Sequence, residues 1–278
     1  MSYQTVLAYK ELGAKRVNLA RELSLEQIKE IQKNVKGEME TEVFVHGAVC
    51  FSYSGRCAIS DYMTGRKANR GECTHPCRWK YSLVEETREG QYYPVFEDEK
   101  GLYLFNSKDL ALFPFIKDFM SFGIDSFKIE GRMKTIHYIA SVLSLYRRIM
   151  DGENLSVEEG FKLLSRVSNR GYSHGFINGG VKPEDYSQTE NNTHSNSTFV
   201  AIHSESIKEG TVLKIRNRIL AGDKLEVLSP GGVIKEIQMS SPLIKKDGTQ
   251  VSVVQNEDEI IIKEKMSPYS LFRKIKEV

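Results

Sequence analysis

The stretch DSFKIEGRMKTIHYIA, residues 125–140, predicts a β-strand that leads directly into an α-helix. Apolar and polar side chains alternate up to Glu130, as in a strand with one buried face. From Ile136 onward the apolar residues follow helical spacing, and the predicted helix ends at Asp151. A strand followed by a helix is the unit from which parallel sheets are built. The stretch therefore predicts an α/β fold.

The sequence before this stretch shows the same order. Residues 16–20 are a short strand candidate, and Ser24 with Gln27 predicts a capping box at the start of the next helix. Residues 42–46 and 101–105 are two further runs rich in β-forming side chains. Strands and helices thus alternate along this part of the chain, which favours parallel β/α units over an all-β or all-α fold.

The C-terminal part has a different pattern. Residues 183–198 are polar and predict a linker. Beyond them, short alternating segments separated by turn residues predict a small all-β barrel or sandwich over residues 199–278. We therefore expect an α/β domain over residues 1–182, the linker, and a small β-barrel domain.

The composition is that of an ordinary globular protein: 278 residues, of which 40% are hydrophobic and 27% charged. The formal net charge of +2 creates no global field that would attract nucleic acid or a membrane. No apolar run of about 18 residues predicts a membrane span. The N-terminus lacks the layout of a signal peptide. We therefore expect a cytoplasmic protein.

The four cysteines are clustered within 28 residues, at Cys50, Cys57, Cys73 and Cys77. Structural disulfides are rare in the cytosol, so the cluster indicates a shared metal on four thiolates. Zinc sites of this kind usually have paired short spacings, whereas C-x6-C-x15-C-x3-C is wide and irregular. This spacing favours an iron–sulfur cluster. A zinc site and four unliganded thiols remain alternatives.

The cysteine-rich segment, residues 46–81, has weak periodicity and predicts an ordered loop held by the metal. It is also basic, with six cationic side chains against Asp61 and Glu72. Cations beside a thiolate-bound cluster stabilise its negative charge, and they can also contact phosphates. An ordinary solvated surface is the alternative. The candidates for nucleic-acid binding are Arg66, Lys67, Arg70, Arg78 and Lys80.

Lys128 and Glu130 are candidate catalytic residues, because they lie on one face at the carboxyl end of a predicted strand. Arg132 follows and could form a bidentate pair with a carboxylate substrate. His46, at the end of another strand, could act as an acid or base. A salt-bridged rim and a satisfied buried histidine are the structural alternatives for these positions.

The sequence contains none of the motifs G-x-S-x-G, H-E-x-x-H or the Walker loop. His137 and His203 have no partner at a useful spacing. A cysteine protease would need a free thiol, and a four-cysteine metal site leaves none. These absences argue on chemical grounds against a peptidase, because no nucleophile or zinc-protease motif is present.

Several long motifs resemble the peptidase U32 family, and the resemblance extends over nearly the whole chain. They are ARELSLE (residues 20–26), EVFVHGAVC (42–50), SGRC (54–57), ANRGEC (68–73), PCR (76–78), SKDL (107–110) and KIEGRMK (128–134). The resemblance implies a (β/α)8-like barrel followed by a small β-barrel. It also implies an iron–sulfur cluster, [4Fe–4S], on the four cysteines.

The resemblance also implies a reaction. The best understood members of the family act in RNA hydroxylation with prephenate as cosubstrate, and this chain is most similar to the branch that makes 5-hydroxyuridine at the wobble position of tRNA. The alternatives are a peptidase or collagenase, as the family name states, and a non-catalytic, metal-stabilised binding subunit.

Compared with the family pattern, the chain begins in the middle of the barrel. We therefore expect the C-terminal part of a (β/α)8-like barrel, as a fragment or as a half that a second chain completes. Active-site residues on the missing strands cannot be assigned, and the isolated protein would then be inactive.

Overall fold

The structure, a computed structural model, describes most of the chain. The described residues are 1–49, 53–57, 59–74, 76, 96–98, 101–103, 108–132, 134–180 and 194–276. The chain packs as two compact units, each built from two stretches of sequence. The first unit is Met1–Glu130 with Asn169–Thr193, and the second is Gly131–Ser168 with His194–Val278.

Six α-helices are present in the described residues: α1 Tyr3–Glu11, α2 Leu25–Val35, α3 Ile59–Thr64, α4 Ile116–Phe122, α5 Ile136–Met150 and α6 Val157–Leu164. The predicted capping box at the start of α2 is confirmed. The Ser24 hydroxyl accepts a hydrogen bond from the Gln27 amide, and the Gln27 side chain accepts one from the Ser24 amide. This arrangement satisfies two amides that the helix leaves without partners.

The first unit is built on a five-stranded mixed sheet and a short hairpin. The strands are β1 Arg16–Asn18, β2 Glu40–Ala48, β3 Phe96–Asp98, β4 Gly101–Tyr103, β5 Asp109–Ala111, β6 Ser126–Ile129 and β7 Tyr172–Ser173. Strand β2 is central and pairs in parallel with β1 and β6. Its last residues pair with β5 in the antiparallel sense, and β5 pairs in parallel with β7. Strands β3 and β4 form the hairpin.

Helix α2 covers this sheet because its apolar stripe is buried. Ile28, Ile31 and Val35 are buried in the core of the first unit. The buried Gln32 donates to the Gly123 carbonyl (2.6 Å) and accepts from the Thr41 hydroxyl (2.9 Å). Its polar group is therefore satisfied inside the core, and it ties α2 to β2 and to the end of α4.

The α/β class is confirmed, but a (β/α)8 barrel is not seen in the described part of the chain. The reason is visible at β5, where an antiparallel strand pairs with the end of β2. A sheet built only from β/α units would be parallel throughout. The part-barrel architecture therefore stays a prediction.

The cysteine-rich segment has more regular structure than expected. Its described residues include α3 and a short 3-10 turn over Ala68–Arg70. Hydroxyl contacts hold the segment together: Thr74 lies 3.2 Å from the Ser60 hydroxyl and 3.1 Å from the Thr64 hydroxyl. A hairpin predicted from residues 81–95 lies outside the described residues.

The second unit contains an all-β sheet domain, as predicted. Its strands are β8 Ser197–Ile207, β9 Gly210–Ile215, β10 Ile219–Leu220, β11 Lys224–Leu228, β12 Ile234–Gln238, β13 Leu243–Lys245, β14 Gln250–Val251, β15 Val253–Val254, β16 Glu259–Ile262 and β17 Leu271–Ile275. Eight of them follow the order β12-β11-β17-β8-β9-β16-β13-β14, and β10 pairs with β15. The eight-stranded order has two ends among the described residues, so a closed barrel is not seen there.

Helices α5 and α6 pack with this all-β domain. Buried Arg273 on β17 donates to the Ser141 hydroxyl of α5 (3.1 Å). The ring of His137 on α5 stacks on Phe199 of β8, with 5.2 Å between ring centroids. The boundary between the two units therefore falls after Glu130 and again around residues 168–194, whereas the sequence predicted one boundary at the linker. Residues 183–193 of that linker lie outside the described residues.

Among the described residues, none of the helices combines the length and the apolar character that crossing a bilayer requires.

Candidate functional site

A cleft of about 720 Å³ opens in the first unit where β1, β2 and β6 end. These three strands are parallel, so their carboxyl ends meet at one edge of the sheet, where α/β proteins usually bind their ligands. The volume is that of an ordinary small-molecule site. The lining residues are Met1, Asn18, Leu19, Ala20, Arg21, Phe44, Ala48, Tyr53, Ser54, Gly55, Arg56, Lys128 and Glu130.

Lys128 and Glu130 both line this cleft, as their position on one face of β6 predicted. Lys128 is exposed and Glu130 is half-buried. The Glu130 amide donates to the His46 carbonyl (2.9 Å), which extends the pairing of β6 with β2. The neighbouring Gly47 has a φ of +130°, and a Cβ there would lie 2.9 Å from the Glu130 Cβ. A glycine is therefore needed for Glu130 to approach β2 this closely.

A tight turn over residues 53–56 forms another wall of the cleft. The Arg56 amide donates to the Tyr53 carbonyl (3.0 Å), which closes the turn. The Ser54 amide donates to the Glu22 carboxylate (2.8 Å), and the Glu22 side chain is only 9% exposed. A carboxylate just beyond the end of β1 thus anchors the turn that precedes Cys57.

The cleft has an excess of positive charge. Among the described lining residues, three side chains are cationic, Arg21, Arg56 and Lys128, and one is a carboxylate, Glu130. Arg21 lies 3.4 Å from the Glu22 carboxylate, so its charge is partly offset. Arg56 and Lys128 are both exposed. The arrangement is therefore suited to a ligand that carries carboxylate or phosphate groups.

The predicted metal centre falls only partly within the described residues. Cys57 and Cys73 are half-buried, whereas Cys50 and Cys77 lie outside the described residues. The part of the chain that the structure describes contains no group of three or more metal-ligating side chains. The four-cysteine site therefore stays a prediction.

The candidates for nucleic-acid binding also fall only partly within the described residues. Arg66, Lys67 and Arg70 are exposed on and beside the 3-10 turn that follows α3. Arg78 and Lys80 lie outside the described residues. Exposure leaves the described cations available to phosphates, and it fits an ordinary solvated surface equally well.

Two candidate catalytic residues do not line the cleft. Arg132 is exposed and belongs to the second unit. His46 is fully buried, and its ring lies 5.7 Å from the Tyr172 ring between centroids. The acid or base role and the structural alternative both stay predictions for His46.

Several residues at the cleft were not predicted as functional from the sequence. Arg21 lines the cleft and Glu22 anchors the turn that forms its wall, both in the loop that follows β1, so a position just beyond a strand end could have identified them. Tyr53 and Arg56 carry no such signal, because a loop brings them to the cleft. Arg170, which does not line the cleft, has a structural role: it forms an ion pair with the fully buried Asp109 (2.9 Å).

The sequence model described as Peptidase family U32 matches residues 1–187 of this chain. A second model, described as Peptidase family U32 C-terminal domain, matches residues 195–273. Together the two models cover both the cleft and the all-β domain.

Named relatives match over most of the chain. A Bacillus subtilis protein called tRNA hydroxylation protein P1 is 32% identical over 98% of this chain and 66% of its own length. The 23S rRNA 5-hydroxycytidine C2501 synthase of Escherichia coli is 31% identical over 87% of this chain and 34% of its own. The chain thus spans two thirds or less of the length of these relatives.

A solved structure of a C-terminal domain from Geobacillus thermoleovorans covers 27% of this chain and 90% of its own. It is 18% identical to this chain, and the TM-score is 0.25, which is too low to indicate a shared fold.

Proposed function

Since this chain belongs to peptidase family U32, we propose that it takes part in RNA hydroxylation, as an RNA-modifying enzyme or as part of one. The relatives called tRNA hydroxylation protein and 5-hydroxycytidine synthase support this reaction class. The more specific proposal is formation of 5-hydroxyuridine at the wobble position of tRNA. The greater coverage by the tRNA hydroxylation protein supports tRNA over ribosomal RNA as the target.

The cationic cleft is the observation that carries this proposal. It lies at the carboxyl edge of parallel strands, and it brings Lys128 and Glu130 together with Arg56. A hydroxylation needs a small-molecule donor or cosubstrate beside the RNA. An open site with more cations than carboxylates suits a cosubstrate that carries carboxylates.

Prephenate is the cosubstrate we propose, and its two carboxylates would meet the cations of the cleft. Lys128 and Arg21, which both line the cleft, would each bind a carboxylate oxygen through N–H donors. Glu130, which is half-buried at the cleft, would accept a hydrogen bond from a hydroxyl group of the ligand. Arg132, which the sequence suggested for carboxylate binding, is not needed for this arrangement.

An iron–sulfur cluster is the cofactor we propose, on the thiolates of Cys50, Cys57, Cys73 and Cys77. Thiolate ligands are the donor set that such clusters use, and the two described cysteines, Cys57 and Cys73, are both half-buried rather than sealed in the core. When bound, the cluster would supply one-electron transfer. The chain's own contribution is the Glu22-anchored turn, which fixes the backbone next to Cys57.

The first test measures the RNA product. Deleting the gene should remove 5-hydroxyuridine from tRNA in nucleoside mass spectrometry, and the wild-type gene should restore it. A strain that cannot make prephenate should show the same loss. Unchanged spectra in a strain that has no second enzyme for this modification would contradict the proposal. Peptide hydrolysis by the metal-free protein, if a single point substitution abolished it, would also contradict the proposal and favour a peptidase.

The second test measures the cofactor. Protein purified without oxygen should contain iron and acid-labile sulfide in equal amounts and absorb broadly in the visible range. Cys57→Ala and Cys73→Ala should each lower the iron content, whereas Ser54→Ala, on the same turn, should not. Colourless protein with a stoichiometric zinc content would contradict the iron–sulfur cluster and indicate a structural zinc site instead.

A further inference from the structure

Tyr53 presents an aromatic ring to the cleft and to solvent at once. Its side chain lines the cleft, and the residue is 59% exposed. Tyrosine rings are normally more buried than this, because their apolar faces gain from leaving water. An exposed ring at the edge of a polar site is therefore a surface on which a flat ligand group can pack.

The backbone holds Tyr53 in a defined place. Tyr53 is the first residue and Arg56 the last residue of the tight turn, which the bond from the Arg56 amide to the Tyr53 carbonyl closes. Gly55 has a φ of +70°, which a turn of this kind needs and glycine adopts without strain. The buried Glu22 carboxylate holds the middle of the turn through the Ser54 amide. The turn thus fixes the Tyr53 backbone at the cleft, so only the side-chain torsions have to be ordered on binding.

The groups around Tyr53 match the remaining parts of a nucleotide. Arg56, on the same turn, supplies a guanidinium for phosphate oxygens, while Lys128 and Arg21 remain for the cosubstrate. Proteins recognise single-stranded RNA by stacking unpaired bases on aromatic rings while cations contact the backbone. A cleft of about 720 Å³ has room for one extruded nucleoside beside a small cosubstrate but not for a paired duplex.

We propose that Tyr53 is the stacking residue for the target base, an unpaired pyrimidine that leaves its RNA loop and enters the cleft. This inference rests on the proposed function and adds the residue that positions the substrate. Arg56 holds the phosphate next to the stacked base, and the fixed turn keeps the two contacts in register. Neither residue carries out chemistry in this assignment, so both are positioning residues.

The test uses the full chain and two synthetic RNAs: an anticodon stem-loop with an unpaired loop uridine, and a fully paired duplex of the same length. Tyr53→Ala should weaken stem-loop binding about 10-fold in fluorescence anisotropy, because one base–aromatic contact is lost. Its binding to the duplex should be unchanged. Tyr53→Phe keeps the ring and should bind the stem-loop within about twofold of wild type, whereas Tyr53→Leu keeps apolar bulk only and should bind like Tyr53→Ala.

Tyr62→Ala is the matched control, because Tyr62 is 88% exposed in the same segment but does not line the cleft. It should leave binding to both RNAs unchanged. Far-UV circular dichroism and the iron content of each variant show whether the turn and the neighbouring Cys57 are intact.

The outcomes separate this inference from the function on which it rests. If wild-type protein binds the stem-loop and Tyr53→Ala binds it equally well, the stacking role is wrong while RNA hydroxylation stands. Equal losses for Tyr53→Ala and Tyr62→Ala would also overturn it, since any exposed ring would then serve. If the wild-type chain binds neither RNA, both the stacking role and the proposed RNA target fail.

Discussion

Charged side chains serve opposite purposes in the two units of this protein. In the second unit, Arg273 is only 1% exposed and is enclosed by partners. Its guanidinium binds the Glu226 carboxylate (2.7 Å from Nε) and the Ser141 hydroxyl. In the first unit, Arg56 and Lys128 are exposed at an open cleft. The same residue types therefore stabilise a fold where they are buried and paired, and remain available to a ligand where they are exposed.

The buried charge of Arg273 also affects the neighbouring histidine, His137. Nε2 of His137 lies 3.4 Å from Nη1 of Arg273. An arginine can only donate, so Nε2 must accept, and the ring must be neutral with its proton on Nδ1. Burial, reinforced by the Arg273 charge and opposed by Glu226, lowers the pKa of His137 from 6.5 to about 4.

The largest effect is expected from breaking the buried network. Arg273→Ala removes the guanidinium and leaves the Glu226 carboxylate, which Arg166 also contacts at 3.2 Å, without its closest partner. The second unit should lose about 3–5 kcal/mol of unfolding free energy. Urea unfolding followed by circular dichroism measures this loss. Arg16→Ala, in an exposed ion pair with Glu40 (2.8 Å), is the control and should change stability by less than about 1 kcal/mol. Equal losses of stability in the two variants would contradict the difference between buried and exposed charges.

The next effect is a dependence of stability on pH. The unfolded chain takes up a proton on His137 near pH 6.5, whereas the folded protein resists protonation until about pH 4. The free energy of unfolding therefore has its full value above pH 6.5. It should fall by about 3 kcal/mol as the pH is lowered towards 4. Urea midpoints between pH 4 and 7 measure the slope. His137→Phe keeps a ring against Phe199 but cannot titrate, so an undiminished slope in that variant would assign the effect elsewhere.

A smaller loss is expected at the edge of the cleft. Gly47→Ala adds a Cβ 2.8 Å from the Glu130 carbonyl oxygen at a φ of +130°. We expect about 2 kcal/mol of destabilisation and a displaced Glu130. Gly37→Ala is the control, since Gly37 also has a positive φ but open space around it, and should lose about 1 kcal/mol. The difference in thermal stability between the two variants isolates the steric contribution, and its absence would contradict the close approach.

The smallest effect on stability should come from the cleft cation. Lys128→Ala removes an exposed side chain, so the unfolding free energy should change by less than about 0.5 kcal/mol. The wobble 5-hydroxyuridine content of a complemented strain should nevertheless fall several-fold, because a carboxylate loses its partner. Lys33→Ala, on the exposed side of α2, should leave both quantities unchanged. A stability loss at Lys128 comparable to that at Arg273 would show that the two regions do not differ as described.

Local patterns predicted much of the fold. The capping box at Ser24, the strand at residues 126–129 and the helix that follows Thr135 all depend on neighbouring side chains, and each is present. The antiparallel pairing of β5 and the packing of α5 with the all-β domain were not predicted. Both depend on contacts between distant residues, such as Arg273 with Ser141, which no local spacing encodes.

The candidate site was predictable to the same extent. Lys128 and Glu130 were found because strand alternation places them on one face at a strand end. His137 lacked a partner at any useful spacing, yet the fold supplies Arg273 from 136 residues away. Tyr53 was missed because a loop anchored by Glu22 brings it to the cleft, and that anchor joins residues 32 positions apart. Contacts at such separations require the folded chain.

The pairing of α5 with β17 determines where this chain can be divided for study. A piece excised at residue 195 would retain every strand of the eight-stranded sheet but discard α5 and α6. Arg273 would then meet solvent where Ser141 and His137 now lie, and Phe199 would expose the face on which His137 stacks. An independently expressed C-terminal module that preserves its native interior must therefore carry residues 131–168 together with residues 194–278.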